Sequence, residues 1–447
     1  MREFARGSIR SMAAALVLGC VAISPVFADP AADSNDAPFA PEDWSLHAQT
    51  TFIEQGNLRF HSPYRGPNSL DPAPRGRESW TGTLFIGRRL PWTGGELYIN
   101  PEFNQGFGLS RTEGVAGFVN GEAQKGGYDN PKVNVARLFL RQTFGLGGAQ
   151  EAIAPGPNQL AAKPDVARIT VTAGKFSPTD LFDTNDYAGD PREDFLNGSL
   201  WAAGAWDYPA DAKGYSDGVA VEWNWAHGAL RWGDFLEPKV ANNRDLEPRF
   251  WRSFGTVIEL ETRYDIAGRD GVLKTLAFAN RAAMGSNDQA AALGGDIAAT
   301  RRSRWKPGFV VNLQQAVTDE IGLFGRFSLS NGHTESWAFE DIDESFSGGV
   351  SIRGTWWMRP DDTLGIGAAQ TELTQHHRNY FAAGGLGILV GDGKLSYKPE
   401  RIIETYYRLQ LIAAVSLSLD YQYVLDPAYN AARGPVSVFA GRIHIAY

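Results

Sequence analysis

Period-two alternation recurs from residue 46 to the final residue and predicts an all-β chain, read here as a transmembrane antiparallel β-barrel with long extracellular loops. Three features favour the barrel. Strand after strand opposes ionised residues to a face of Leu, Ile, Val, Trp, Tyr and Phe. An export signal precedes a chain without cysteine. The polypeptide also ends on an aromatic: 436–447 sets Phe439, Gly441, Ile443, Ile445 and Tyr447 on one face and Ala440, Arg442, His444 and Ala446 on the other. A half-buried soluble strand alternates too. A barrel in lipid, however, closes by pairing its last strand with its first and leaves no edge unpaired.

Composition narrows the class. The 447 residues do not fix a domain number, since barrels run long as one unit. With 43% hydrophobic residues and a mean hydropathy of -0.28, no apolar run after the N-terminus reaches the ~20 residues of a spanning helix. Fifty glycines, 13 Trp, 15 Tyr and 25 Phe suit turns and interfacial aromatic belts. A formal charge of -9 argues against nucleic acid as a partner.

Residues 1–28 read as a signal peptide: Arg2, Arg6 and Arg10 form a basic start, 12–23 is apolar, and Val26-Phe27-Ala28 has small residues at the cleavage spacing. The mature chain then begins at Asp29 with a net charge of about -11. Val17-Leu18-Gly19-Cys20 resembles a lipoprotein box, but the apolar run continues past it, which disfavours acylation. Cys20 is the one cysteine, so disulfides and thiolate metal sites are unavailable to the mature chain. Residues 29–43, rich in Ala, Pro and Asp, form a disordered lead, and 44–447 the barrel domain.

Strands are expected at 46–55, 81–88 and 96–103, with 91–95 as the turn of a hairpin. A glycine-laden loop over 106–129 leads to 133–144, where Leu138 and Leu140 oppose Arg137 and Arg141. After a loop at 151–165, strand 166–176 carries Arg168 opposite Ile169 and Val171. The acidic, aromatic stretch 177–215 lacks sustained alternation and reads as a large external loop able to fold inward. Strand 218–225 places Glu222 against Val221 and Trp223, and 257–264 places Glu259, Glu261 and Arg263 against Ile258 and Leu260; 282–304 is loop. Then come 309–314, 321–329 with Arg326, 350–356, and 363–369 after the turn Pro360-Asp361-Asp362. A hairpin of 384–390 with 394–397 is expected across Gly391-Asp392-Gly393. Strand 403–411 presents Glu404 and Arg408, and 415–423 presents Asp420. The terminal strand follows the Asp426-Pro427 turn.

Catalytic signatures are absent: there is no G-x-S-x-G elbow, zinc H-E-x-x-H or P-loop. Gly385-Leu386-Gly387 and Gly391-Asp392-Gly393 lead into no helix and read as turns. His376-His377 read as part of a solvated loop rather than a metal site. No enzyme activity, cofactor or metal is expected. The inward charges Arg137, Arg141, Arg168, Glu222, Glu259, Glu261, Arg263, Arg326, Glu404, Arg408, Asp420 and Arg442 are the candidate pore lining. Mixed charges hold water and offer hydrogen bonds to hydroxylated solutes, while aromatic faces pack on sugar rings.

Ordered blocks across the mature chain add to this. They include 62–70 (SPYRGPNSL), Asn100-Pro101-Glu102 with Gly106-Phe107-Gly108-Leu109, 116–123 (AGFVNGEA), and Ala136-Arg137-Leu138-Phe139. Further blocks are Phe182-Asp183-Thr184-Asn185, 204–209 (GAWDYP), 335–339 (ESWAF), Arg359-Pro360-Asp361-Asp362, Gly391-Asp392-Gly393 with Pro399-Glu400, and Leu419-Asp420-Tyr421-Gln422-Tyr423. In these the chain resembles the OprB-type carbohydrate-selective porins of Gram-negative outer membranes. The resemblance implies a 16-stranded barrel, passive diffusion of monosaccharides such as glucose, and loops that narrow the pore with Arg, Glu and aromatic residues. Expected partners are small sugars, outer-membrane lipids and the barrel assembly machinery, which would read the C-terminal strand; the oligomeric state is open. A general or anion-leaning porin and a secreted sugar-binding or sugar-cleaving β protein are the alternatives.

Overall fold

The computed structural model describes residues 40–123 and 127–447. Within them sixteen strands close into one antiparallel barrel. The first half runs β1 (Trp44–Asn57), β2 (Arg75–Arg89), β3 (Gly95–Gly106), β4 (Tyr128–Gly145), β5 (Arg168–Phe176), β6 (Ser216–Trp225), β7 (Gly228–Leu236) and β8 (Phe254–Ile266). The second half runs β9 (Arg269–Ala282), β10 (Arg304–Ala316), β11 (Ile321–Ser330), β12 (Glu344–Gly354), β13 (Arg359–Glu372), β14 (Glu400–Ile412), β15 (Val415–Leu425) and β16 (Val436–Ala446). Each strand pairs with its sequence neighbours, and β16 returns to β1 with Gln49 opposite Ala446 and Asn57 opposite Val438. The last backbone group takes part, since Tyr447 N–H donates to Ala48 O at 2.8 Å and Ala48 N–H to Tyr447 O at 2.9 Å.

The alternation has an inverted sense. Outward residues are large and apolar, among them Leu138, Trp223, Leu260, Leu323 and Leu419, the last 75% exposed. Inward strand residues are polar and buried, among them Asn100, Glu259, Asn312, Glu404 and Gln422. A sandwich in water would expose its ionised face and bury its leucines. An apolar belt around a polar interior matches a hydrocarbon surround. Aromatics flank that belt at both ends: Trp44, Trp92 and Tyr447 toward one rim, and the edge-to-face pair Phe254–Trp305, with centroids 5.5 Å apart, toward the other. Among the described residues no helix is long and apolar enough to cross a membrane.

Because neighbours are antiparallel, successive connections alternate between the two ends. One end carries the long connections 58–74, 107–127, 177–215, 237–253, 283–303, 331–343, 373–399 and 426–435. The other carries tight turns, except for 146–167.

Several sequence expectations need correction. Strands β7 and β9 were not anticipated. The expected hairpin of 384–390 with 394–397 does not form: Gly384, Gly391 and Gly393 sit at positive φ, Asn68 N–H donates to Gly391 O at 3.2 Å, and Leu389 N–H donates to Asp341 at 2.7 Å. The segment makes local turns, such as Gly387 N–H to Val390 O at 2.8 Å, and bonds to neighbouring connections, with no ladder between 384–390 and 394–397. Pro360-Asp361-Asp362 lies inside β13, and the reversal occurs over Thr355–Trp357, where Met358 takes φ +63°. His376 and His377 belong to a helix, Gln375–Ala382, not to a solvated loop, and His377 is buried against Asp343 at 3.0 Å. The signal peptide and most of the 29–43 lead fall outside the described residues.

Candidate functional site

Connection 177–215 enters the barrel. It departs from β5 through a capping box in which Ser177 N–H donates to Asp180 at 2.9 Å, and Pro178 fixes the following turn. Phe182, Phe195, Leu200 and Trp206 then bury themselves inside the barrel. Backbone that far from water needs partners, and the wall supplies them. Arg326 on β11 donates to Leu200 O and Ala188 O, each at 2.8 Å, and pairs with Asp183 at 3.1 Å. Glu404 on β14 accepts from the amides of Leu196 (2.5 Å) and Asn197 (3.0 Å). Arg442 on β16 donates to Pro191 O at 2.6 Å, Asp194 O at 2.9 Å and Glu193 O at 2.9 Å. Glu259 on β8 accepts from Asp183 N–H at 2.8 Å.

A second connection, 107–127, lies against the first. Its Ala116 and Gly117 amides donate to Glu400, each at 3.0 Å, and Gly198 N–H donates to Phe118 O at 3.0 Å. The crossing at Gly117 is tight: a Cβ there would stand 2.7 Å from Asn197 Oδ1 and closer still to Ser199 Oγ. Thr81 on β2 donates to Glu122 at 2.6 Å, and Glu122 meets Arg192 of the first connection at 3.3 Å.

The two connections fill the lumen against β8–β16, touch β2–β4 through Glu122, Asp180 and Tyr215, and leave space along β2–β8. There a cavity of about 1020 Å³ is bordered by Phe85, Arg89, Glu96, Arg137, Phe139, Arg141, Thr170, Thr172, Phe176, Glu222, Arg231 and Arg263, with Asp180 and Arg192 from the inward connection. Arg137 holds Asp180 through two bonds of 2.7 and 2.6 Å. Arg141 stands over the Tyr98 ring at 5.1 Å and the Phe139 ring at 5.5 Å, and those rings stack at 5.0 Å. Arg231 bridges Glu222, Glu259 and Glu261 at 2.8–2.9 Å. The lining thus combines fixed charges in pairs with aromatic faces, in a volume near the top of the about 300–1,000 Å³ usual for small-molecule sites.

Connection 146–167 closes over this cavity from the short-turn end. Arg141 donates to Asn158 O at 3.0 Å, Asn100 donates to the Asn158 side chain at 2.8 Å, and Arg168 pairs with Glu151 at 2.5 Å.

All twelve residues read from the sequence as pore lining lie on inward strand positions, but they divide into groups. Arg137, Arg141, Arg168, Glu222 and Arg263 border the large cavity, and Arg408 borders a smaller one of about 400 Å³ while pairing with Glu193 at 2.6 Å. Glu259, Glu261, Arg326, Glu404, Asp420 and Arg442 are buried beneath the inward connections. An inward side chain meets water only where the lumen is empty, and over these six positions it is filled. Sequence reasoning missed Glu102, Asp180, Arg192 and Arg231. Glu102 was within reach, since the alternation Glu96, Tyr98, Asn100 extends to it, and Tyr215 donates to it at 2.8 Å. Arg192 and Asp180 sit in a connection without periodicity, where nothing signals direction.

Asp194 gives the inward connection a pH dependence. Burial pushes its carboxyl up to about 6, against the lowering effect of the Gly189 and Asp190 amides, and the Asp190 carboxylate adds to the rise. Between the ordinary carboxylate range and about 6 the folded chain holds a proton that the unfolded chain has released. Stability therefore falls as pH rises through that window. Conductance in KCl should increase across a midpoint near pH 6 as the connection loosens. Asp194→Asn should flatten the step, and a step unchanged in that variant would assign the titration to another group.

A family model described as carbohydrate-selective porin, OprB family, matches residues 69–447. Among solved structures, the high-pH form of Pseudomonas putida OprB superposes with a TM-score of 0.69 at 16% identity, covering 91% of this chain and 94% of that one. The low-pH form of the same protein gives 0.51 at 13% identity, with 91% and 93% covered. The outer membrane channel DcaP of Acinetobacter baumannii gives 0.49 at 9% identity, with 91% and 97% covered. Comparison with curated proteins produced no match.

Proposed function

This chain belongs to the OprB family of carbohydrate-selective porins, and we propose that the cavity along β2–β8 is the path its sugars take. It is a carbohydrate channel of the Gram-negative outer membrane, a class of proteins that conduct solutes and do not catalyse reactions on them. In this reading the long connections face the cell exterior and the 146–167 connection faces the periplasm. The observation that carries the path is Arg141 beside the Phe139 ring, both bordering the cavity, with the buried Tyr98 stacked behind Phe139. A pyranose offers an apolar face to an aromatic ring and equatorial hydroxyls to a guanidinium beside it. The fixed pairs Arg137–Asp180 and Arg231–Glu222 flank the cluster and present donors and acceptors without reorganisation. Transport is passive, so the groups need only bind weakly enough to release.

The test is glucose block of single channels in a planar bilayer. A hydrogen bond to a charged group contributes about 1.5–3 kcal/mol, so Arg141→Gln should raise the half-blocking glucose concentration by about tenfold or more. Phe139→Ala should do so as well, with conductance kept in both. Block of unaltered strength in both variants would move the sugar path elsewhere, and a parent channel indifferent to sugars would be a general porin. One observation favours an anion-leaning channel as the second reading: the cavity lining carries seven arginines and Lys163 against six carboxylates. A reversal potential in a KCl gradient that favours chloride, together with absence of sugar block, would select it.

A further inference from the structure

Three of the long connections meet at the outer rim of the mouth in a cluster unrelated to the sugar path. Asp288 comes from 283–303, where it sits in the short helix Asn287–Ala292. His333 comes from 331–343, and His376 lies in the helix Gln375–Ala382. Both imidazoles turn Nδ1 toward the one carboxylate: His333 Nδ1 lies 3.0 Å from one Asp288 oxygen and His376 Nδ1 lies 2.6 Å from the other. The two rings approach to 3.5 Å between centroids. The three donor atoms all lie within 4.8 Å of one another, and all three side chains are open to solvent.

The backbone fixes this arrangement in advance. Asn287 N–H donates to His333 O at 2.9 Å, and the Asn287 side chain donates to Gly332 O at 2.9 Å, which fastens the residue before Asp288 to the connection carrying His333. His333 N–H is held in turn by Asn331 at 2.8 Å. Residues distant in sequence are thereby presented as one donor set.

We propose that Asp288, His333 and His376 form a divalent zinc-type metal site that ties together three connections at the long-loop mouth. Ligand atoms held at about 2.0–2.2 Å around tetrahedral zinc stand ~3.3 Å from one another. The two Asp288 contacts are shorter than that edge and all three donor atoms lie within 4.8 Å of one another, so rotation of these exposed side chains brings the set onto one ion. Two imidazole nitrogens and one carboxylate oxygen suit zinc and its borderline neighbours. One oxygen ligand is far short of the six to eight that calcium takes. The fourth position opens to water, as in three-ligand sites generally. Bound metal would join the carboxylate in holding the two close imidazoles together.

Untagged full-length protein in detergent, stripped with chelator, provides the test. Titration calorimetry with zinc should show one saturable site per chain, and cobalt substituted for zinc should give the intense visible bands of four-coordinate cobalt. Asp288→Asn, His333→Gln and His376→Gln should each weaken zinc binding by about tenfold or more. His61→Gln, which alters an exposed histidine elsewhere, should leave binding unchanged. No saturable site in the parent, or equal affinity across the three cluster variants, would overturn the proposal. Neither result bears on sugar conduction, which is read in a separate experiment.

Discussion

Arg326→Met should enlarge single-channel conductance severalfold and weaken glucose block, while the barrel keeps its resistance to unfolding in SDS. Arg326 is buried with its partner Asp183, each with 1% of the side chain exposed. It spends its donors on the Leu200 and Ala188 carbonyls and on Asp183 itself. Asp183 is a hub in turn, taking Asn312 Nδ2 at 2.6 Å and Ala203 N–H at 2.8 Å and sending its own N–H to Glu259. Removing one partner of a buried ion pair costs about 3–5 kcal/mol, because the other charge is left without compensation. Methionine keeps the aliphatic volume but offers no donors, so the cost falls on the connection. The barrel wall, held by sixteen ladders of backbone hydrogen bonds, is untouched. The connection should therefore detach locally from β11 and uncover lumen on the β8–β16 side. Arg326→Lys should recover part of the parent conductance through the charge alone. A Met variant with parent conductance would mean that the connection is held without Arg326, and the pinning role assigned to this residue would fail.

The wall of this channel was legible and its contents were not, for one physical reason. Strands such as β14 and β15 announce themselves because lipid selects one face and polar surroundings the other: Ile403, Thr405 and Tyr407 lie outside, and Glu404, Tyr406 and Arg408 lie inside. That contrast blurs where an inward connection packs apolar groups on the wall. On β9 the inward residues include Leu276 and Phe278, which bury against the filled lumen, while Ala277 and Ala279 face out. Alternation of hydrophobicity disappears there although alternation of direction persists, and β9 was assigned no strand. On β7 the inward Ala229 and Gly233 are small, leaving Arg231 as the one ionised marker. The site follows the same logic. Arg137 and Arg141 border the cavity even though Asp180 and Asn158 hold them, whereas Arg442 and Glu404, equally inward, are covered by the Glu193–Asn197 backbone. Period two gives the direction of a side chain, and only the path of 177–215 determines what it meets. The cluster at Asp288 was hidden for a related reason, since its members come from connections whose approach no local pattern encodes.

Replacing Tyr447 and Ile445 together with Asp should lower the amount of folded barrel in outer membranes severalfold while leaving refolding into detergent nearly intact. Both residues are on the lipid-facing side of β16, Ile445 42% and Tyr447 70% exposed. They sit near the end of the strand. A charge on that face costs about 2–4 kcal/mol at the midplane for Arg or Lys, about 0–1 kcal/mol near the interface, and less for Asp. Direct destabilisation by the pair is therefore modest. Ladder bonds to β1 are made by backbone, from Gln49 opposite Ala446 onward and through Tyr447 to Ala48, and survive any side-chain change. The larger loss is expected before closure, when β16 is an unpaired edge that must be recognised as a template. We propose that the assembly machinery reads the apolar face of this strand, ending in the terminal aromatic. Tyr447→Phe, which keeps the aromatic, should then assemble normally. Equal losses in membranes and in detergent would place the defect in the closed barrel rather than in its assembly, and a normal membrane yield would remove the terminal aromatic from both roles.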